Sequence, residues 1–108
     1  MATPTIYGYK VLGSGQLLSS KATLYTVPAS TTAAVQSISV VNTGMGNNVV
    51  YIYVNPAGTS RSIFTGTLSS GDQLYMNEVC TLEAADLIEG YATNAGQCDY
   101  FISGAEAS

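Results

Sequence analysis

The chain contains no histidine and no tryptophan, and only 9% of its 108 residues are charged. The missing histidine removes the commonest general acid–base and the commonest metal ligand. An ordinary soluble domain is about one quarter charged. The surface here must therefore be covered by Ser, Thr, Asn and Gly, or by other protein. Three cations, Lys10, Lys21 and Arg61, stand against seven acids, for a formal net charge of −4. Three scattered cations make no basic patch, which argues against nucleic acid and against anionic membrane surfaces. No apolar run approaches the ~20 residues of a membrane-crossing helix. Met1-Ala2-Thr3-Pro4-Thr5 lacks the cationic and apolar regions of a secretory signal.

Cys80 and Cys98 are the only cysteines. Free Cys is among the most buried residue types, so both are expected as small apolar side chains within strands. A disulfide requires that those strands be neighbours, and a chain without an export signal is made in a reducing compartment. Two cysteines without histidine are a poor zinc set, and an oxygen-only calcium site lacks the Asp-x-Asp-x-Asp spacing. No metal and no cofactor is expected.

What is present is apolar and β-forming: 46% hydrophobic residues and eight tyrosines. The length suits one domain, able to bury about two-thirds of its unfolded surface. β-Branched and aromatic runs alternate with turn residues every ~8–12 positions, the spacing of a sandwich or barrel. Val49 to Val54 is the clearest strand and is apolar on both faces, so one face is expected on the core and the other under something else. Val35 to Val41 reads as a strand whose alternation changes phase, which predicts a bulge near Gln36-Ser37. Further strands are expected at Ala22–Val27, Ser62–Leu68, Gln73–Cys80, Leu87–Ala92 and Cys98–Ser103, with Gly104–Ser108 as a short tail. Leu82 to Asp86 reads as a loop. Ile6 to Leu12 could add a strand, followed by a joint at Gly13-Ser14-Gly15. The chain thus divides into an amino-terminal arm, residues 1–21, and a body, residues 22–108. No stretch has helical periodicity. The expected fold is all-β: a two-sheet antiparallel β-sandwich, jelly-roll-like, of about eight short strands, with an extended N-terminal arm. An immunoglobulin-like topology is the rival, without its Cys–Trp–Cys arrangement.

Residues suited to catalysis are sparse. Asp86 with Glu89, and Glu78 with Glu83, are near in sequence and could make a glycosidase pair, but acids at strand ends also serve solubility. No serine sits in Gly-x-Ser-x-Gly, and no histidine can serve as base. No Gly-rich loop leads into a phosphate cradle. Tyrosine is the remaining signal, because it buries area while keeping a polar tip and is enriched at interfaces. Tyr51 and Tyr53 share one strand face. A subunit interface, a sugar-stacking platform and ordinary core remain open for them.

Ala22-Thr23-Leu24-Tyr25-Thr26-Val27-Pro28-Ala29-Ser30-Thr31-Thr32-Ala33, running on through Val35-Gln36-Ser37-Ile38-Ser39-Val40-Val41-Asn42-Thr43, resembles a phrase common in small virion proteins of tailed bacteriophages. Leu68 to Leu74 and Leu82 to Ile88 resemble that family's two turns, with Ala85 where glycine is usual. The resemblance implies a β-sandwich virion structural protein made in the host cytoplasm, most often a capsid decoration (cement) protein on the capsid exterior. It implies a homotrimer bound to the major capsid protein, and no enzyme activity. A tail or head–tail connector component and a carbohydrate- or receptor-binding module of a fibre are the alternatives. Contacts to neighbours are expected at Ile6, Tyr7, Tyr9, Val11, Leu17 and Leu18 of the arm, and at Tyr51 and Tyr53 within the oligomer.

Overall fold

The structure, a computed structural model, describes residues 10–107. Eight strands follow one another: β1 (Lys10–Gln16), β2 (Ala22–Thr26), β3 (Thr32–Asn42), β4 (Asn48–Asn55), β5 (Arg61–Leu68), β6 (Gln73–Leu82), β7 (Leu87–Ala92) and β8 (Cys98–Ala107). One turn of 3-10 helix at Pro56–Gly58 links β4 to β5, where proline cannot extend a ladder. All described pairings are antiparallel. One sheet has the order β1-β8-β3-β6 and the other β2-β7-β4-β5. The chain behaves as a long hairpin folded at β4–β5: β4 pairs with β5, β3 with β6, β2 with β7 and β1 with β8, in alternate sheets. This is jelly-roll connectivity, and the expected fold class is the one observed.

Local patterning explains the layers. On β3, Ala33 and Val35 point inward, the phase then flips, and Ile38, Val40 and Asn42 are buried. Both ladders of β3 shift register between Val35 and Ser37, where the bulge was expected. Ile38, Ile52, Ile88 and Ile102 are fully buried between the sheets, each contributing about 1.5–3 kcal/mol of transfer free energy. At one end, buried Asn42 and Asn48 tie three loops together. Asn42 Nδ2 donates to the Gly46 and Leu68 carbonyls, and Asn48 Nδ2 donates to Asn42 Oδ1 at 3.2 Å. No buried side-chain polar atom among the described residues lacks a partner, as buried amides require.

Two expectations about the chain ends are corrected. The tail expected after Ser103 continues β8 to Ala107, with Thr32 to Val35 of β3 as partners. Gly104 permits it: a Cβ there would lie 2.2 Å from the Ala34 carbonyl oxygen, so the two backbones meet only without a side chain. The joint expected within the arm is corrected as well. Gly13-Ser14-Gly15, expected as a joint, lies inside β1, which bulges between Val11 and Gly13 along β8. Leu17 follows with its N–H on the Cys98 carbonyl at 2.9 Å, and its side chain is fully buried. That bond, with the Gly96 N–H on the Leu17 carbonyl at 3.0 Å, carries the side chain between the sheets.

Candidate functional site

The outward side chains of the β2-β7-β4-β5 sheet form one candidate surface. Inward Val50 and Ile52 on β4, and Ile88 and Gly90 on β7, leave Tyr51, Tyr53, Glu89 and Tyr91 on the outside. Tyr51 and Tyr91 are cross-strand partners. Their rings stack with centroids 4.4 Å apart and planes 12° from parallel. Tyr53 lies on the diagonal, 6.3 Å from Tyr91 and 9° from parallel. Lys21 Nζ sits 4.8 Å from the Tyr53 ring centroid. The same ammonium donates to Ser60 Oγ at 3.1 Å, and Ser60 Oγ donates to Glu89 Oε1 at 2.9 Å. Asn55 Nδ2 approaches the same carboxylate oxygen at 3.5 Å. Ring faces and charges on this surface are thus engaged with one another.

The outer face of the β1-β8-β3-β6 sheet differs. Phe101, Tyr75 and Val11 are exposed at 45%, 61% and 50%. Ser39 is the register partner of both Phe101 on β8 and Tyr75 on β6, so a serine separates the two rings. Ser37 and Ser103 beside them share a hydrogen bond of 2.7 Å. Lys10, Val11, Phe101 and Ser103 line a shallow pocket of about 230 Å³. The exposed side chains here are apolar with few charges among them, which suits protein contact.

Of the residues expected at interfaces, Tyr51 and Tyr53 come together, and Val11 and Leu18 are exposed. Leu17 is corrected to a core residue. Ile6, Tyr7 and Tyr9 lie outside the described residues. Tyr91, Phe101 and Tyr75, which the structure places on these two faces, were not singled out from the sequence. The ring partners of Tyr91 come from β4, 38 to 40 positions earlier in the chain.

A third cluster joins β1, β2 and β8. The Tyr25 hydroxyl donates to the Glu106 carboxylate, which also meets Lys10 Nζ at 2.7 Å. The Lys10 ammonium and then the Tyr25 hydroxyl hold the Glu106 carboxyl below the usual value. Burial, reinforced by that carboxylate, pushes the Tyr25 phenol well above its own. Asp86 and Asp72 serve turns. Asp86 Oδ2 accepts the Glu83 N–H at 2.9 Å and its Oδ1 the Ala57 N–H at 3.1 Å, while Asp72 Oδ2 accepts the Ser69 N–H at 3.0 Å. The residue before each Asp has positive φ, 83° at Gly71 and 72° at Ala85. The Glu78 side chain lies outside the described set. Both cysteines are free thiols, with Cys98 buried and Cys80 half-buried, and burial raises the pKa of each. No group of three or more potential metal ligands converges among the described residues.

No protein-family model matches the sequence, and no curated protein matches it. Solved structures do match. A subunit of Bacillus endospore appendages, a family of disulfide-linked pili, aligns with 99% of this chain and 91% of its own at 20% identity, TM-score 0.61. A chain of the T13 particle of infectious bursal disease virus aligns with 96% of this chain at 12% identity, TM-score 0.52. This chain spans about 30% of that viral chain. At these identities the likeness establishes a shared β-sandwich fold, one found in subunits of assembled particles and fibres.

Proposed function

We propose that the chain is a non-enzymatic structural subunit of a virus particle, of the capsid-decoration type, which binds the outside of the major capsid protein shell and self-associates there. The outer face of the β1-β8-β3-β6 sheet carries this reading: exposed Phe101, Tyr75 and Val11 in a charge-poor chain. Burying such side chains across a joint between shell subunits stabilises the bound state by mass action. The resemblance of Ala22–Thr43 to a phrase of phage virion proteins and the fold likeness to a viral particle chain support the same reading. The test is quantitative mass spectrometry of purified virions combined with cryo-microscopy. The expected result is this polypeptide on the shell exterior in a fixed ratio to the major capsid protein. Its absence from particles, or its presence only at a tail or portal, overturns the reading.

A filament subunit is the second reading, favoured by the near-complete fold match to the endospore pilus subunit. A polymer joined by disulfides needs two reachable thiols per subunit, and Cys98 is buried here, so such a filament would be held without covalent links. Electron microscopy of the purified chain separates the readings: filaments formed without a shell favour the second.

A further inference from the structure

We infer that two copies join edge to edge along the flank that carries β5 and β6: β5 pairs antiparallel with β5 of the second copy and β6 with its β6, about one two-fold axis beside Gly66 and Tyr75. The inference rests on the self-association proposed above and names the surface that performs it. β1 and β2 end their sheets and touch at one flank, which puts the other two end strands, β6 and β5, together at the opposite flank. An end strand turns unpaired N–H and C=O groups outward, and a further strand satisfies them. Edges are commonly blunted by charge, short length or a bulge. The β1–β2 flank has all three. β1 carries Lys10 and shifts register between Val11 and Gly13, and β2 has five residues and a shift between Thr23 and Tyr25. The β5–β6 flank has a regular stretch on each strand. Residues 64–68 of β5 pair without interruption with residues 48–52, and residues 73–77 of β6 with residues 37–41. Neither stretch contains a charged residue.

Both stretches complement themselves when reversed. On β5, Thr65 and Thr67 flank Gly66, with Phe64 and Leu68 beyond them; on β6, Leu74 and Met76 flank Tyr75, with Gln73 and Asn77 beyond. Reversal about the central residue sets Thr65 against Thr67, Phe64 against Leu68 and Leu74 against Met76. It keeps each side chain on its own face of the sheet, because strand side chains alternate with a period of two. Leu68 and Leu74 are buried, and Phe64 and Met76 pack partly buried against the core, so the two cores meet across the joint. The centres also agree in height. Gly66 lies two residues before the end of β5, and Tyr75 two residues after the start of β6. One axis perpendicular to both sheets therefore passes beside both. Tyr75, 61% exposed, meets its own counterpart there as a cross-strand aromatic pair. Five residues of strand, about 17 Å, across two sheets about 10 Å apart and their outward side chains give an area on the order of 300 Å² per copy. That is under the ~800 Å² of a standard interface, so the free chain pairs weakly. The same patch on both copies closes at two and does not propagate.

Cross-linking and sedimentation of the full chain, at concentrations up to about 1 mM, test this. In a Cys80→Ser background, Tyr75→Cys is expected to give a disulfide-linked dimer on mild oxidation, because opposed residues on the axis have Cα atoms about 4.5–5.5 Å apart, within disulfide range. Phe101→Cys, on the same outer face but two strands inward, is expected to stay single. Sedimentation of the unaltered chain is expected to reach twice the 11.2 kDa chain mass. Thr67→Lys, at an exposed position of the other sheet, is expected to weaken pairing about tenfold with unchanged circular dichroism. A single mass at every concentration overturns the inference, as does cross-linking of Phe101→Cys equal to that of Tyr75→Cys, or pairing that Thr67→Lys leaves intact. Masses rising beyond two overturn it as well, since a different segment of the next copy then holds the edge. Shell binding by a chain that stays single leaves the proposed function standing without this pairing. A dimer broken by Thr67→Lys in a chain with no affinity for shells upholds the pairing and removes the proposed function.

Discussion

On the outer face of the β2-β7-β4-β5 sheet, three tyrosine rings lie against one another and the Lys21 ammonium sits over the last. On the outer face of the other sheet, Phe101 and Tyr75 flank Ser39, and solvent meets both rings. Both surfaces are built on the same alternating strands, so composition does not separate them. Register does. Where large residues oppose each other directly or on the diagonal, the rings serve the stability of the monomer. Where a small residue intervenes, the rings remain available to a partner.

The difference can be broken by substitution. Tyr91→Ala removes both stacks and is expected to cost about 2 kcal/mol, whereas Phe101→Ala is expected to change monomer stability by less than ~0.5 kcal/mol. Urea denaturation of dilute samples checks both values, and equal costs would erase the distinction between the faces. Ala85→Gly is expected to gain about 0.5–1 kcal/mol, because Ala85 has φ of 72° and glycine adopts that region without a Cβ clash. A lower unfolding midpoint for that variant would show that the turn is not strained. Lys21→Ala removes a cation over the Tyr53 ring at an exposed site, and a loss near 0.5 kcal/mol is expected; no change would show that the tyrosine stack needs no cap.

The pH dependence sharpens the account of the edge where the sheets meet. Glu106 has a depressed pKa in the folded chain. Its contribution is present above the ordinary carboxylate value and is lost as pH falls through the folded one. Tyr25 has a raised pKa. Its contribution is present below the ordinary phenol value of 10.0 and is lost as pH rises through the folded one. Thermal melts from acid to alkaline pH are expected to show both losses, and Glu106→Gln to flatten the acid limb. An unchanged acid limb in that variant would assign the loss to other carboxylates.

Much of the fold was legible because strand patterning is local. The phase change between Val35 and Ile38 can be read within a few residues and implied the bulge observed there. The turns at Asp72 and Asp86 were legible from their resemblance to two turns of phage virion proteins, and Ala85 adopts the positive φ that the usual glycine would supply. Leu17 was misread because short polar and glycine residues around it look like a joint, while the bonds that bury it come from Gly96 and Cys98. Gly104–Ala107 was misread as a tail because Gly104 looks like a strand breaker, and the contact that requires glycine comes from Ala34.

The order of apolar and polar residues alone determined that the chain is all-β, where most strands lie and that two four-stranded sheets could close it, since a period of two belongs to each strand separately. Which tyrosines stack, which face keeps its rings exposed and how the first and last strands lock together were decided only by the tertiary structure. Those features depend on register between strands up to about 94 positions apart, as Lys10 and Gly104 are, and no local pattern encodes a register whose partner lies at the other end of the chain.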